Sequence, residues 1–430
     1  MYIIYLFLKA LVKLVLWIFY PKTTVVHPER LRFEYPAIVV SNHPNTLLDA
    51  LHSAARVKKQ VFFLANASLF STPFQNWFFN KFYCIPIKRK QDTKGGTVNN
   101  EDSFARCDEF LGNGGCLYIA PEGGSEMERR LRKIKTGTAR IALSAESKKD
   151  FQLGLKIVPI GITYEQPNQF RSAVLIRVGE PIEIKDYQEG YQQADFATAQ
   201  KITERLTAEM RSLIIDVDDE EQDELVRRLE IIQQTEQPLT PEPHFQRTKK
   251  LIEELRQLQE ENPQHYELLQ TKTHTYFKAL RSHSLSDRSV AGDKKAKPLL
   301  WLQAFLLLLG LPLFIYGWLN NYLPAKIPSW LVQRLKFYVG YDATVKAISG
   351  LVTFPLFYYL QYRLVGAWWD APIPLIYLLS LPLLGWVALK YRSFFRKWIS
   401  NWRYAFVIAE AKKQELQKLR EEVHTARSLL

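Results

Sequence analysis

A chain of 430 residues with 57 Lys+Arg against 44 Asp+Glu, a net charge of +13, has room for two or more domains. Its charge favours polyanions, either nucleic acid or the negative surface of a membrane. A mean hydropathy of -0.17 excludes a mostly embedded chain but allows a water-facing body with membrane segments attached. Cys84, Cys107 and Cys116 show neither pairing nor metal-ligand spacing, which argues against a disulfide scaffold, suits a reducing compartment and suggests no metal site.

Residues 1–20 are apolar apart from Lys9 and Lys13. No charges precede the apolar run and no small residues follow it, so it reads as an uncleaved anchor and not as a cleavable signal. The anchor either spans the bilayer or lies in its interface with the lysines snorkelling. A buried core helix is the plain alternative, and Pro21 ends the segment either way.

From about 25 to 190, short apolar runs alternate with amphipathic stretches. Strands are expected at Ala37–Val40, Val61–Leu64, Cys84–Ile87, Cys116–Ile119, Ile157–Ile160 and Val174–Val178, with helices at Glu101–Leu111 and Thr136–Lys148. Such alternation predicts an α/β domain. The aromatic stretch Phe74–Tyr83 is either core or a surface facing membrane or acyl chain. After the Ala37–Val40 strand, Pro44 and Asn45 look like the opening of a helix, because Pro fits the first helical turn. His43 then stands at a strand-to-helix corner, from which a side chain reaches a cleft. Asp49 follows six residues later and folds back to hold the imidazole, although a His near an Asp is most often a structural pair.

From 191 to 298 the composition shifts to Gln, Glu, Lys, Arg and Leu, with helical periodicity in Ala199–Ile215, Glu221–Gln234 and Gln246–Gln259. This helical insert, or long hairpin, carries no visible chemistry. Three apolar runs follow, Leu299–Trp318, Val345–Tyr362 and Pro372–Leu389, each near the length that spans a bilayer and flanked by Trp and Tyr. Basic residues precede the first run and follow the third, which an odd number of crossings cannot place on one side. One resolution makes the last two runs a hairpin with Arg363–Asp370 outside, and Leu299–Trp318, with Pro312 in it, re-entrant or interfacial. The tail Asn401–Leu430 reads as a polar amphipathic helix in the cytoplasm. The expected divisions are therefore an anchor (1–22), a catalytic domain (23–190), a charged helical region (191–298), a transmembrane region (299–395) and a tail (396–430).

Three further stretches share the domain with His43. Ile85-Pro86-Ile87-Lys88-Arg89-Lys90 is a strand ending in a basic triplet. Tyr118-Ile119-Ala120-Pro121-Glu122-Gly123-Gly124-Ser125 is a strand entering a Gly-rich turn whose N–H groups suit an anion. Ile157-Val158-Pro159-Ile160-Gly161 precedes Phe170-Arg171-Ser172. Each is ordinary alone, but the order is not.

In that order, across roughly residues 30–185, the chain resembles the glycerolipid acyltransferase family, which acylates glycerol-3-phosphate or lysophosphatidic acid. His43 and Asp49 match its first block, Ile85–Arg89 the second, Pro121–Ser125 the third and Val158–Ile160 the fourth. Most of the family has four residues between the His and the Asp, and this chain has five. Tyr83 stands where the second block usually begins with Gly, and Glu-Gly-Gly-Ser replaces the usual Glu-Gly-Thr-Arg-Ser. These departures look like the branch of fungal-type glycerol-3-phosphate and dihydroxyacetone-phosphate acyltransferases.

The resemblance implies a mixed sheet flanked by helices, with an N-terminal membrane helix, a helical insert and C-terminal transmembrane helices. It implies an acyl transfer that needs no cofactor, with acyl-CoA or acyl-carrier protein as donor and a glycerol-phosphate as acceptor, as a step of phospholipid biosynthesis. His43 is the implied general base, a task suited to a side chain that ordinarily titrates near neutrality. Asp49 fixes its tautomer. Arg89 with the turn Glu122, Gly123, Gly124 and Ser125 binds the acceptor, Glu122 through its free hydroxyl or by holding Arg89. Pro159 shapes the acyl-donor side. Membrane lipids are expected partners, in an inner or cytoplasmic membrane with the site facing the cytoplasm. Two alternatives stay open: O-acylation of another lipid such as an aminolipid, and a non-catalytic, membrane-tethered polyanion binder. No nucleic-acid partner is expected, since no recognition motif is present, and no Gly-x-Ser-x-Gly elbow supports a serine hydrolase.

Overall fold

The computed structural model describes residues 2–81, 83–88, 99–292 and 297–428. The chain divides into two units, Met1–Asp216 with Lys336–Ala347, and Val217–Leu335 with Ile348–Leu430. Residues 191–216 and 336–347, expected in the helical and transmembrane regions, belong to the first.

In that unit α1 (Tyr2–Phe19) leads into β1 (Lys22–Val26), β2 (Ala37–Ser41), α2 (Leu47–Ala54), β3 (Val61–Asn66), α3 (Pro73–Lys81), β4 (Cys84–Ile87), α4 (Glu101–Gly112) and β5 (Cys116–Ile119). There follow α5 (Gly137–Ser147), β6 (Lys156–Tyr164), β7 (Ala173–Val178), β8 (Ile182–Glu183), α6 (Gln188–Gln193) and α7 (Asp195–Leu213). The described strands form one sheet in the order β1-β7-β6-β2-β5-β3-β4, with β8 beside β6. Pairing is parallel except where β7 and β8 run antiparallel to β6, so the sheet is mixed as expected. All five residues of β2 are buried. Side chains alternate across a strand, so Ala37 and Val39 enter one core and Ile38 and Val40 the other. A strand covered on both faces must be apolar throughout, which is why the run 37–40 was legible.

The short edge strands β1 and β8 escaped the sequence reading, since KTTVV is no more apolar than a loop. The N-terminal helix is neither wholly buried nor detached. Tyr5, Leu16 and Phe19 join the buried core, while Ile3, Phe7 and Trp17 stay exposed. Lys9 does not snorkel, because its Nζ donates to the Val57 carbonyl. The aromatic stretch lies outward: α3 buries none of its side chains, and Phe74 and Trp77 are 69% and 57% exposed.

The second unit contains α8 (Glu220–Glu236), α9 (Pro241–Glu261), α10 (Pro263–Ser282), α11 (Asp287–Val290), α12 (Lys297–Leu335), most of α13 (Asp342–Gly366), α14 (Ile373–Trp402) and α15 (Glu410–Arg427). Helix α10 was missed because its pattern follows α9 after only Asn262, whose side chain caps it. Arg420 of the tail helix pairs with Glu236 at 3.0 Å and with buried Asp287 at 2.9 Å.

Three described segments, Lys297–Leu335, Val339–Gly366 and Ile373–Val407, are long and apolar enough to cross a membrane. Leu299–Trp318 lacks the chain reversal that a re-entrant piece needs. It forms part of one unbroken helix of 39 residues, about 58 Å at 1.5 Å per residue, with Pro312, Pro324 and Pro328 inside. Proline removes one N–H and frees the carbonyl four residues earlier. The carbonyl that Pro328 frees is that of Pro324, which accepts the Thr353 hydroxyl at 3.0 Å. At Pro328 a neighbouring side chain thus satisfies what proline takes away, and the helix need not break there.

Candidate active site

Strands β2 and β5 are parallel neighbours with Val40 opposite Ile119, so the chain leaves both at the same edge of the sheet. Three residues beyond each register partner stand His43 and Glu122. The Glu122 carboxylate accepts the His43 main-chain N–H at 3.0 Å and the Arg132 N–H at 3.2 Å. From the same turn Ser125 Oγ donates to the His43 carbonyl at 2.7 Å and accepts the Thr46 N–H at 3.2 Å. The third block therefore grips the first by its main chain.

The helix expected from Pro44 begins only at Leu47. Residues 44–46 form a turn that absorbs the extra residue between His43 and Asp49, and Thr46 takes a positive φ of 47°. Asp49, in the first turn of α2, is brought back beneath the ring. Its Oδ2 accepts His43 Nδ1–H at 3.1 Å and the Asn45 N–H at 2.6 Å, and its Oδ1 accepts the Tyr164 hydroxyl at 2.7 Å.

The Asp49 side chain is fully buried, whereas His43 keeps 19% of its side chain exposed. Burial pushes the Asp49 carboxyl above its usual range, against the hydrogen bonds from His43, Asn45 and Tyr164. Behind it pack Tyr20, His52 and Tyr164, with ring centroids 5.2–5.8 Å apart. Burial and the nearby Arg56 charge hold His52 well below its ordinary value, so it is neutral backing. Glu122 is pushed up to about 7, chiefly by burial, with its two backbone hydrogen bonds opposing.

The sequence reading missed several of these positions. Asn42 turns its side chain into a strand mimic: Nδ2 donates to the Ile162 carbonyl at 2.9 Å, and Oδ1 accepts the Ile162 N–H at 2.8 Å. Asn45 Nδ2 donates to the Tyr20 hydroxyl at 2.7 Å. Tyr164 had one signal: it continues the alternation of Ile160 and Ile162 on the face that also holds Val39. The glycine position of the second block is informative too, since Tyr83 has φ 69° and keeps the left-handed backbone that glycine would adopt freely.

Glu122 and Ser125, which hold the His43 main chain, also line a cavity of about 700 Å³ with Gly124, Glu126, Arg130, Leu131, Arg132, Lys133, Lys135, Tyr338 and Tyr341; neither His43 nor Asp49 is in that lining. Four cations face two carboxylates there. Gly123 has φ +71°, and a Cβ on it would lie 2.4 Å from Lys135 Nζ, so a bare Cα is what lets that amine cross the turn. Arg89 lies outside the described residues. Pro159 is buried in β6 opposite Val40, away from the cavity lining. Phe170-Arg171-Ser172 serves α1: Phe170 packs edge-on against Phe19 at 5.5 Å, and the Arg171 N–H donates to the Phe19 carbonyl at 2.7 Å.

Residues 22–163 match the family model described as Acyltransferase. The chain is 33% identical over 117 residues to glycerol-3-phosphate O-acyltransferase 2 of Saccharomyces cerevisiae, covering 27% of this chain and 16% of that protein. It is 38% identical over 87 residues to glycerol-3-phosphate O-acyltransferase 1 of the same yeast, covering 20% and 11%. The chain thus spans less than a fifth of the length of these curated relatives. Among solved structures, the 1-acyl-sn-glycerophosphate acyltransferase of Thermotoga maritima overlays with a TM-score of 0.33 and 18% identity, covering 47% of this chain and 78% of that one.

Proposed function

We propose, on the premise that residues 22–163 are an acyltransferase domain of the glycerolipid family, that the chain moves a fatty acyl group from acyl-CoA or acyl-carrier protein to a hydroxyl of glycerol-3-phosphate or 1-acylglycerol-3-phosphate. The observation that carries the reading is His43 Nδ1 at 3.1 Å from the fully buried Asp49 carboxylate. An Nδ1–H donated to Asp49 leaves Nε2 as the basic nitrogen. It takes the proton of the acceptor hydroxyl as that oxygen bonds to the acyl carbon. The carbon–sulfur bond breaks, and the imidazolium returns its proton to the departing sulfur. Asp49 stabilises the imidazolium in between and stays ionised. The substrate hydroxyl is the nucleophile, so no acyl-enzyme forms.

The acceptor phosphate meets Arg130, Arg132, Lys133 and Lys135 in the adjoining cavity, and Arg89 joins them by its place in the second block. Cationic donors of this kind form the strong, charge-assisted hydrogen bonds a phosphate needs. Reaction at the cytoplasmic face of a membrane is consistent with three apolar helices and with the exposed Ile3, Phe7, Trp17, Phe74 and Trp77. In the deciding experiment, the full chain is given glycerol-3-phosphate, dihydroxyacetone phosphate and lysophosphatidic acid in turn, each with acyl-CoA and with acyl-carrier protein. Transfer to at least one of them is expected. Transfer to none of the three overturns the reading.

A further inference from the structure

The acyltransferase-family match ends at residue 163, yet the cavity that shares Glu122 and Ser125 with the His43 turn is also lined by two tyrosines from much later in the chain. Tyr338 and Tyr341 lie in Lys336–Ala347, a segment that follows the first apolar helix, includes the start of the second, and folds with the first unit. It is held there by two side chains and one main-chain N–H from three different loops. Thr46 Oγ1 donates to the Gly340 carbonyl at 3.1 Å and lies 3.2 Å from Thr344 Oγ1. Asn168 Nδ2 donates to the Val339 carbonyl at 2.9 Å, and Lys346 Nζ to the Asn168 carbonyl at 3.1 Å. The Met127 N–H donates to the Tyr338 hydroxyl at 2.6 Å. Thr46 is the strained residue of the His43 turn, so the same side chain serves the base-bearing loop and the late segment.

A phenol used as acceptor by a main-chain N–H still has its own O–H to donate. In a cavity lined by Arg130, Arg132, Lys133 and Lys135, a neutral donor adds a hydrogen bond to an anion without adding charge. Gly340 packs close to both Tyr338 and Thr46: a Cβ on it would lie 2.6 Å from the Tyr338 ring and 3.3 Å from the Thr46 methyl.

We infer that Lys336–Ala347 completes the acceptor site, with the Tyr338 hydroxyl donating to the phosphate of the acceptor and its ring forming the wall. This rests on the reading of the cavity as the acceptor site. The position of the acceptor is then set by a residue outside the family-matched residues 22–163, and no step of the acyl transfer passes through it.

The test uses the full chain in lipid nanodiscs, with Tyr338→Phe and Tyr338→Ala. Equilibrium binding of radiolabelled glycerol-3-phosphate is measured beside steady-state kinetics with that acceptor. Loss of one hydrogen bond to a charged group should weaken binding and raise the acceptor KM roughly tenfold in Tyr338→Phe. Its kcat should stay within about twofold and the donor KM should not change, because the ring still fills the wall. Tyr338→Ala should weaken binding further. Unchanged binding in Tyr338→Phe overturns the inference, as does a loss shared equally by kcat and both KM values. If the wild type binds no glycerol-3-phosphate, the inference falls as well. If the wild type binds it, Tyr338→Phe weakens that binding and acyl transfer is absent throughout, the inference stands and the proposed reaction falls.

Discussion

Glu122 engages two main-chain groups, accepting the His43 N–H at 3.0 Å on one carboxylate oxygen and that of Arg132 at 3.2 Å on the other. The acid of the third block is thereby a bracket between the base-bearing loop and the cationic stretch that lines the cavity. Its carboxyl titrates near 7 because burial outweighs those hydrogen bonds.

That shift predicts a pH dependence of stability. The folded state holds the Glu122 proton up to about 7, against an ordinary value of 4.5, so between those values the folded chain binds more protons than the unfolded one. Stability from this group is full below about 4.5 and is lost as pH rises through about 7, on the order of 3 kcal/mol. Thermal unfolding at pH 5 and pH 8 should show a drop in Tm that Glu122→Gln largely removes. An equal drop in both proteins would mean that Glu122 is not the titrating group.

Replacing the base gives the sharpest test of the chemistry. His43→Ala should cut kcat by about 10²–10⁴-fold, the usual worth of a positioned general base, with Tm little changed. Residual activity within a few-fold of wild type would remove His43 from that role.

In the proposed mechanism Tyr164 acts on His43 through Asp49, whose Oδ1 accepts its hydroxyl. Tyr164→Phe deletes the 2.7 Å hydrogen bond to Asp49 Oδ1 in a fully buried setting. A lowering of kcat by roughly tenfold is expected, with a stability loss of about 1–3 kcal/mol and both KM values held. A change confined to KM would contradict a positioning role.

At Gly123 the expectation is steric. Gly123→Ala forces a Cβ onto φ +71° and into Lys135 Nζ, 2.4 Å away. The backbone strain alone costs about 1–3 kcal/mol. The displaced amine should also raise the acceptor KM, whereas an unaltered KM would show that Lys135 does not serve the acceptor.

Arg89→Ala should raise the KM for a phosphate-bearing acceptor more than the KM for the acyl donor. Steady-state kinetics with both substrates varied would check this, and an unchanged acceptor KM would assign the phosphate to the cations of the cavity alone.

How much was legible follows from what side chains advertise. Buried parallel strands are apolar on both faces, so β2 and β5 stood out within a residue of their observed ends; the edge strand β4, where only Ile85 is buried, stood out because Cys84–Ile87 is apolar throughout. The edge strands β1 and β8 lack that burial and left no mark. His43, Asp49 and the Glu122 turn were visible as residue types in order, because acid–base chemistry demands particular side chains. The grip of Glu122 and Ser125 on the His43 main chain was not, since a backbone N–H is the same at every residue and carries no signature in sequence.

By itself, then, the sequence determined a sheet-and-helix body, apolar helices and the His43–Asp49 pair. Only the tertiary structure decided which loops meet around them. Helix entry at Leu47 instead of Pro44 depends on the hydrogen bonds that hold Thr46 at positive φ, and one of these reaches Gly340, 294 positions away. Local propensity cannot encode a contact at that separation. The parallel exit of β2 and β5 from one edge of the sheet, and the return of Lys336–Ala347 to the first unit, place those groups side by side.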